Sequence, residues 1–224
     1  MGGGKKKREE KAKKDLKREN ARLGFGVGGI QFETALMAET DRGCALVAAE
    51  FLSDGLEYVL RSQFKLTNAP ESMHEQLVGT FTAPLGTMAM RSLACRAFGL
   101  IDQEAYDAID AIREIRNECG HRKGAIDLKD PELDKYVRWL AEFNVRNQTF
   151  GSDGVTGSVG WPWWDYFGTK QPEFSQERTT FMDAAFTVHV HLQTQITVLE
   201  NRLRFLPRTA SVGPKESRPS SGPQ

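Results

Sequence analysis

The residue types best suited to chemistry lie in one ten-residue stretch, IREIRNECGH, which runs from Ile112 to His121. It holds Arg116 and Asn117 side by side, and His121 follows four residues after Asn117. An imidazole, with an ordinary pKa of about 6.5, can accept and donate a proton near neutral pH. A guanidinium stays charged at that pH and can hold negative charge through two hydrogen bonds. The stretch is therefore a candidate site for proton transfer beside an anion.

The same stretch has the pattern of a helix with one side facing a core. At about 100° per residue, Arg116 projects inside the apolar arc, Arg113 lies at its edge, and Asn117 lies further round. The arc consists of Ala105, Ala108, Ile109, Ile112, Ile115 and Cys119. We therefore expect Arg116 to point toward the core or an interface. A buried guanidinium requires an acidic partner. The candidate partners are Asp41, Glu50, Asp54 and Glu57.

His121 has two alternative roles in this helix. It follows Gly120, where the helix is expected to unwind. Residues five apart, such as Arg116 and His121, lie on different faces of an ideal helix, but unwinding at the glycine would let the imidazole swing back. Alternatively, Arg116 pairs with acids of the first core helix and His121 caps the carbonyl groups at the helix C-terminus. The sequence leaves both roles open.

A helical period runs through the surrounding sequence and predicts an all-α bundle of about five to seven helices. No segment shows a convincing strand pattern. The residues that mark helix ends are Asp41, Phe64, Pro70, Thr87, Gly99, Asp102, Gly120, Pro131 and Ser175. The core stripe of the first long helix is Leu46, Ala49, Leu52, Leu56, Val59 and Leu60. A later helix has Leu133, Val137 and Leu140, and the last has Phe181, Ala185, Val188, Leu192, Ile196, Leu199, Leu203 and Leu206.

Charge is distributed unevenly along the chain. Residues 1–22 hold ten Lys or Arg and four Asp or Glu, a net charge of +6, and the rest carries −6 because the whole chain is formally neutral. We expect residues 1–30 to be a disordered basic arm with a Gly-rich linker, 31–206 to be the helical domain and 207–224 to be a disordered tail. Residues 5–22 either contact nucleic acid non-specifically through its phosphates or form a solvated charge run.

Three tryptophans, Trp161, Trp163 and Trp164, lie in a Gly-rich loop at 151–172. The loop is too long for a simple connector. We expect the indole rings either to cover the core or to form a surface for a partner.

The remaining residue types exclude several classes of function. The sequence contains no run of about 18 apolar residues, so no membrane span is predicted. The N-terminus lacks the apolar segment of a secretory signal. Three scattered cysteines fit a reducing cytoplasm and are expected to be buried apolar side chains. No group of His, Cys or carboxylate residues has the spacing of a metal site, and no cofactor motif is present, since the Gly-x-Gly of GFGVGGI lacks a preceding strand.

Arg116, the polar Asn117, three further residues and His121, at the end of a helix in an α-bundle, form a pattern that resembles the Arg-x4-His signature of the HEPN superfamily. In HEPN ribonucleases, the Arg and the His of two subunits meet across a dimer interface. The resemblance implies metal-independent cleavage of RNA, in which a 2′-OH attacks the adjacent phosphate. His121 would move the proton, Arg116 would hold the charge on the phosphoryl oxygens, and Asn117 would orient either group.

Five separated blocks of the sequence also resemble the mannitol operon repressor family, MltR (MtlR). The blocks are residues 39–43, 45–49, 83–87, 99–101 with Tyr106, and 112–117 with His121. The motif residues that they add are Asp41, Arg42, Pro84, Gly86 and Arg113. The resemblance spans roughly residues 37–145 and departs from the family at Gly120, where the family usually has Ala.

This second resemblance implies an all-α transcriptional regulator of sugar-alcohol uptake that acts through other proteins. The sequence agrees, since it has no helix-turn-helix with a basic recognition helix, no zinc-finger spacing and an acidic body. We therefore expect a cytoplasmic MltR-like regulator that forms a homodimer or binds a protein partner, without cofactor, metal or membrane anchor. The alternative is a HEPN-like metal-independent ribonuclease that uses Arg116, Asn117 and His121 as a dimer.

Overall fold

The structure is a computed structural model that describes residues 30–124, 126–148 and 174–205. These residues form seven α-helices, and no strand occurs among them. In chain order the helices are α1 (Ile30–Ala38), α2 (Asp41–Leu66), α3 (Glu71–Val78), α4 (Met88–Ala97), α5 (Gln103–His121), α6 (Pro131–Gln148) and α7 (Gln176–Phe205). The predicted all-α bundle is confirmed. The basic arm with its Gly-rich linker, the Trp-rich loop and the tail lie outside the described residues, so what the sequence predicts for them stays a prediction.

Several helix ends lie where the sequence predicts them. The carboxylate of Asp102 accepts a hydrogen bond from the amide of Ala105 at 2.8 Å, which caps α5. The hydroxyl of Ser175 accepts one from the amide of Arg178 at 3.2 Å and caps α7. Gly99 follows α4 with a φ of 67°, a left-handed conformation that glycine adopts without strain. These ends are predictable because a cap depends on residues close in sequence.

The start of α2 differs from the prediction by one residue. Thr40, and not Asp41, is the N-cap, because its hydroxyl accepts a hydrogen bond from the amide of Gly43 at 3.2 Å. Asp41 is the first residue of the helix, and its carboxylate instead accepts from the amide of Leu128 at 3.0 Å. Since a threonine at the preceding position supplies the cap, Asp41 is available to join α2 to the segment before α6.

The core is centred on α2, which packs against α1, α3, α4, α5 and α7, while α6 packs against α5 and α7. The predicted stripes of α2, α6 and α7 are buried, apart from Leu46, which is exposed, and Leu203, which is partly exposed. Leu206 lies outside the described residues. None of the helices described has both the length and the apolar composition that crossing a bilayer requires.

Helix α1 is absent from the sequence prediction. Its Phe32 and Leu36 are fully buried. The Phe32 ring stacks on His189 of α7 at 4.7 Å between centroids and lies 5.0 Å from the ring of Phe51 of α2. The apolar residues of IQFETALMA do not mark a single face, and the preceding glycines favour a linker, so tertiary contacts rather than local signals account for this helix.

Candidate functional site

Arg116 and Asn117 line a groove of about 590 Å³ between α2, α4 and α5. The α2 wall carries Ala49, Glu50, Ser53, Asp54 and Glu57, the α5 wall carries Arg113, Arg116 and Asn117, and the rest consists of Arg91 with residues 79–81 and 86–89. Three carboxylates and three guanidiniums therefore surround one space, and their formal charges balance. The volume lies in the range of sites for small ligands or for a few side chains of a partner.

Arg116 is exposed, so it does not point into the core, whereas the predicted alternative, an interface, stays a prediction. Its Nη1 donates a hydrogen bond to Oδ1 of Asn117 at 3.3 Å. The apolar arc of α5 is buried as predicted, with Ile109 and Ile112 inaccessible. Helix α4 packs on α5 but begins at Met88, which itself lines the groove. Helix α4 therefore does not cover Arg116, which faces the groove instead.

Arg113 lies at the edge of the arc, as predicted, and is held by acids of its own helix. Its Nη2 is 2.7 Å from Oδ1 of Asp110 and 2.5 Å from Oε1 of Glu114. Asp54, a predicted partner of Arg116, lies on the opposite wall of the groove. The two arginines of α5 therefore differ, because Arg113 is engaged by carboxylates and Arg116 by an amide oxygen.

His121 is the last residue of α5 and is exposed. The helix continues through Gly120 instead of unwinding there, so Arg116 and His121 lie about 140° apart around the helix axis. His121 does not line the groove. The carbonyl of Arg122, the C-cap residue of α5, accepts a hydrogen bond from Nη2 of Arg42 at 2.5 Å, and a capping role for His121 stays a prediction. Within one chain, the structure brings Arg116 and Asn117 together and leaves His121 on another face.

The buried arginine of this groove is in α4. Arg91 is 8% exposed, and its Nη2 lies 2.5 Å from Oε2 of Glu57. It also donates hydrogen bonds of 3.1 to 3.3 Å to the carbonyl groups of Ser53, Val78 and Leu85. Glu57 accepts a further hydrogen bond from Nε of Arg61 at 2.8 Å. This predicted partner of Arg116 is therefore bound by two other arginines.

Sequence reasoning missed Arg91 because α4 is inverted relative to an ordinary amphipathic helix. Its buried residues are Arg91, Ser92 and Cys95. Met90 and Leu93, by contrast, are 43% and 48% exposed. A hydrophobic pattern alone assigns Met and Leu to the core. The one signal in the sequence is that Arg91 shares a helical face with the small residue Cys95, which lies four positions later.

The turn formed by the 83–87 block is held against α2 by Arg91. A Cβ atom on Gly86 would lie 2.2 Å from the carbonyl oxygen of Thr80 and 2.5 Å from that of Phe81. Both neighbours are backbone atoms, so only glycine fits here. Pro84 is exposed in the same turn. The motif residue Gly86 therefore lines the groove, and Pro84 lies in the turn that carries it.

The 39–43 block forms a second polar cluster, at the start of α2. Nη1 of Arg178 in α7 lies 3.3 Å from Oδ1 of Asp41, and Arg178 is 9% exposed. Its Nη2 donates to the carbonyl groups of Leu36, Met37 and Glu39 at 2.5 to 3.4 Å. Asp41, another predicted partner of Arg116, thus pairs with Arg178. The sequence signal for Arg178 was its position three residues before Phe181, on the edge of the buried stripe of α7.

Burial raises the pKa of the Cys44 and Cys95 thiols to about 12 and that of Cys119 to about 11. All three are therefore protonated at neutral pH and behave as the buried apolar residues that the sequence predicts. Burial also lowers the pKa of His189 to about 4, which keeps this imidazole neutral. In the part of the chain that the structure describes, no group of three or more His, Cys, Asp or Glu residues is placed to hold a metal ion.

The fold and the site define an all-α bundle with a charge-balanced groove. No protein-family model matches the chain, and no curated protein sequence matches it. Among solved structures, the chain is similar to the MtlR–HPr complex from Escherichia coli, at 15% sequence identity and a TM-score of 0.43, over 75% of this chain and 96% of that chain. This similarity is too distant to bear on function.

Proposed function

We propose that the chain is a cytoplasmic transcriptional regulator of the mannitol operon repressor type, which acts by binding another protein and not by reading DNA. The charge of the groove is the observation that carries the protein-binding mode. Arg91, Arg113 and Arg116 share the groove with three carboxylates, and the first two are bound to acids. A nucleic-acid site needs an excess of basic side chains to neutralise phosphates. The groove lacks such an excess.

The resemblance of the sequence to the mannitol operon repressor family supports the regulatory part of the proposal. Its 39–43 block joins α2 to α7 through Asp41 and Arg178, and its 83–87 block is joined to α2 through Arg91. Both blocks therefore contribute to contacts between helices of this fold. A fold does not determine a function, so the regulatory role requires its own experiment.

Transcript profiling of the host organism tests the regulatory role. In a strain that lacks the gene, we expect the transcripts of a sugar-alcohol uptake operon to change. The wild-type gene and the His121→Ala variant should both restore them, because the proposed role requires no catalysis by His121, which does not line the groove. Unchanged transcripts of all such operons would contradict the proposal.

Binding to duplex DNA tests the mode of action. At about 0.15 M salt, we expect the purified full-length chain to show no preference among operator fragments and unrelated fragments of equal length. Tight, selective binding to one operator would show that the protein reads DNA itself, and would contradict the protein-binding mode while leaving the regulatory role intact.

The alternative function is a HEPN-like, metal-independent ribonuclease that works as a dimer. One observation favours it, namely that Arg116 and Asn117 face an open groove where a phosphate can reach the guanidinium. His121 lies on another face of α5, so a complete centre would take its His121 from a second chain. Incubation with single-stranded RNA in EDTA tests this function. Cleavage that disappears in His121→Ala, with an unchanged unfolding midpoint, would favour the ribonuclease over the regulator.

Formation of a homodimer is a separate proposal. The apolar stripe of α7, one reason for predicting it, is buried against α2 and α6. The other reason for predicting a homodimer, Arg116, still applies, because this side chain is exposed at the groove. Sedimentation velocity at micromolar concentration measures the association state. A monomer throughout that range would contradict both the dimer and the two-subunit ribonuclease.

A further inference from the structure

Helix α4 presents an apolar stripe to solvent. Met90, Leu93 and Phe98 are 43%, 48% and 56% exposed, and Ala97 lies between the last two in an exposed position. Of the described helices, α2 and α5 contact α4, and the residues of α4 that are buried are Arg91, Ser92 and Cys95. Large apolar side chains grouped on one exposed helix face are typical of a surface that binds a partner.

A row of carboxylates runs along α5, the helix that packs against α4. It consists of Asp107, Asp110 and Glu114, which are three and four positions apart along one face of the helix. Gln103 joins the row to α4, because it accepts a hydrogen bond from Nε of Arg96 at 3.1 Å and donates one to Asp107 at 2.8 Å. Arg113 neutralises part of the row through Asp110 and Glu114. With Arg96 of α4 counted beside Arg113, three acids and two arginines leave a formal charge of −1.

We propose that α4 is the docking surface for a basic amphipathic segment of a partner protein. The apolar side chains of that segment would cover Met90 and Leu93, and its Lys and Arg side chains would face the carboxylates of α5. An apolar centre with charges at its rim is the usual composition of such a contact, and the rim charges select the partner. The inference rests on the proposed function, because it names the surface and the partner chemistry through which the regulator would act.

Two other occupants fit this surface less well. A second copy of the chain, packed antiparallel on α4, would bring its own carboxylate row against the first, and like charges would oppose each other. The basic arm of the chain has a suitable charge. However, residues 2–22 contain one aliphatic side chain larger than alanine, Leu16, which is too little to cover the stripe.

Peptide binding to the full-length protein tests the proposal. The probe is a fluorescent synthetic helix of Leu and Lys in which leucine forms one face, and the matched control peptide has Glu in place of each Lys. We expect the Leu–Lys peptide to bind and the Leu–Glu peptide not to bind. Leu93→Ser should weaken binding by about tenfold, while Phe205→Ser, which alters an exposed apolar side chain at the end of α7, should leave it unchanged.

Asp107→Asn provides a second variant that keeps the apolar stripe intact. It should weaken binding of the Leu–Lys peptide and reduce the salt dependence of its dissociation constant, because one carboxylate of the rim is lost. The unfolding midpoint of each variant should equal that of the wild type, since Leu93 and Phe205 are exposed.

Three results would overturn the proposal. The first is peptide binding that is insensitive to Leu93→Ser or is weakened by Phe205→Ser. The second is equally tight, Leu93-dependent binding of a synthetic peptide of residues 1–22, which would make the arm the occupant. The third is a wild-type dimer that dissociates in Leu93→Ser, which would make a second copy the occupant. If the peptide does not bind but loss of the gene still changes the transcripts, the docking proposal is wrong and the regulatory role stands. If the peptide binds but the transcripts do not change, the regulatory role is wrong and the docking surface stands.

Discussion

Arg91 and Arg116 line the same groove but differ in burial, since Arg91 is buried and Arg116 is exposed. Arg91→Ala would remove a cation that binds Glu57 and three carbonyl groups, and we expect the free energy of unfolding to fall by about 3–5 kcal/mol. Arg116→Ala removes one exposed hydrogen bond to Asn117 and should change it by less than about 0.5 kcal/mol. Urea unfolding measures both values, and equal losses in the two variants would contradict the burial described here.

The sequence shows which polar residues the 112–121 stretch contains and on which side of the helix each one lies. It does not show which other segments pack against that side. Arg116 does lie on the side of α5 that holds Ile109 and Ile112, but α4 is too short to cover it. Arg91 was unpredictable for the same reason, because its partners come from α2 and from the turn before α4. Contacts between distant segments decide burial, and the local sequence does not contain them.

Two glycines show how an element depends on its closest neighbours. A methyl group on Gly86 would meet the carbonyl oxygens of Thr80 and Phe81, whereas one on Gly120 would meet nothing within 4 Å. We expect Gly86→Ala to lower the free energy of unfolding by about 1–3 kcal/mol through steric overlap. Gly120→Ala should raise it by about 0.5 kcal/mol, because alanine loses less backbone freedom in a helix. Thermal unfolding of the two variants provides the measurement, and a tolerated Gly86→Ala would mean that the turn is looser than described.

At the scale of elements, the sequence predicts six of the seven described helices and fails at two particular points. The helices that begin at Asp102 and Ser175 are marked by caps, which are local arrangements. Helix α1 has no such mark and is held by the burial of Phe32 and Leu36. Helix α4 is predicted as a helix, but the sequence analysis does not predict which of its sides is buried. Its exposed Met90 and Leu93 conflict with the rule that apolar faces are buried, and such conflicts concentrate at functional surfaces.

At the scale of the whole molecule, two polar clusters join segments that lie far apart in sequence. One joins α1, α2 and α7 through Arg178, and the other joins α2 to α4 and its preceding turn through Arg91. Between these two polar clusters, α2 packs against its neighbours through apolar side chains. Because each arginine binds several backbone carbonyls, loss of either one would loosen an end of the bundle rather than a single contact.

Stability of the whole molecule should depend on pH through His189, which is buried and stacked on Phe32. Its Nε2 lies 2.9 Å from Nε2 of Gln193, within hydrogen-bond distance. Burial lowers the pKa of His189 from 6.5 to about 4. Between these values the unfolded chain binds a proton that the folded chain does not, so the free energy of unfolding falls as the pH is lowered. The loss should approach 3 kcal/mol, to within about one, at pH 4. Urea unfolding of wild type and His189→Leu at several pH values isolates this contribution, because both chains keep the other histidines. If the stability difference between the two chains does not change with pH in this window, His189 is not buried in neutral form.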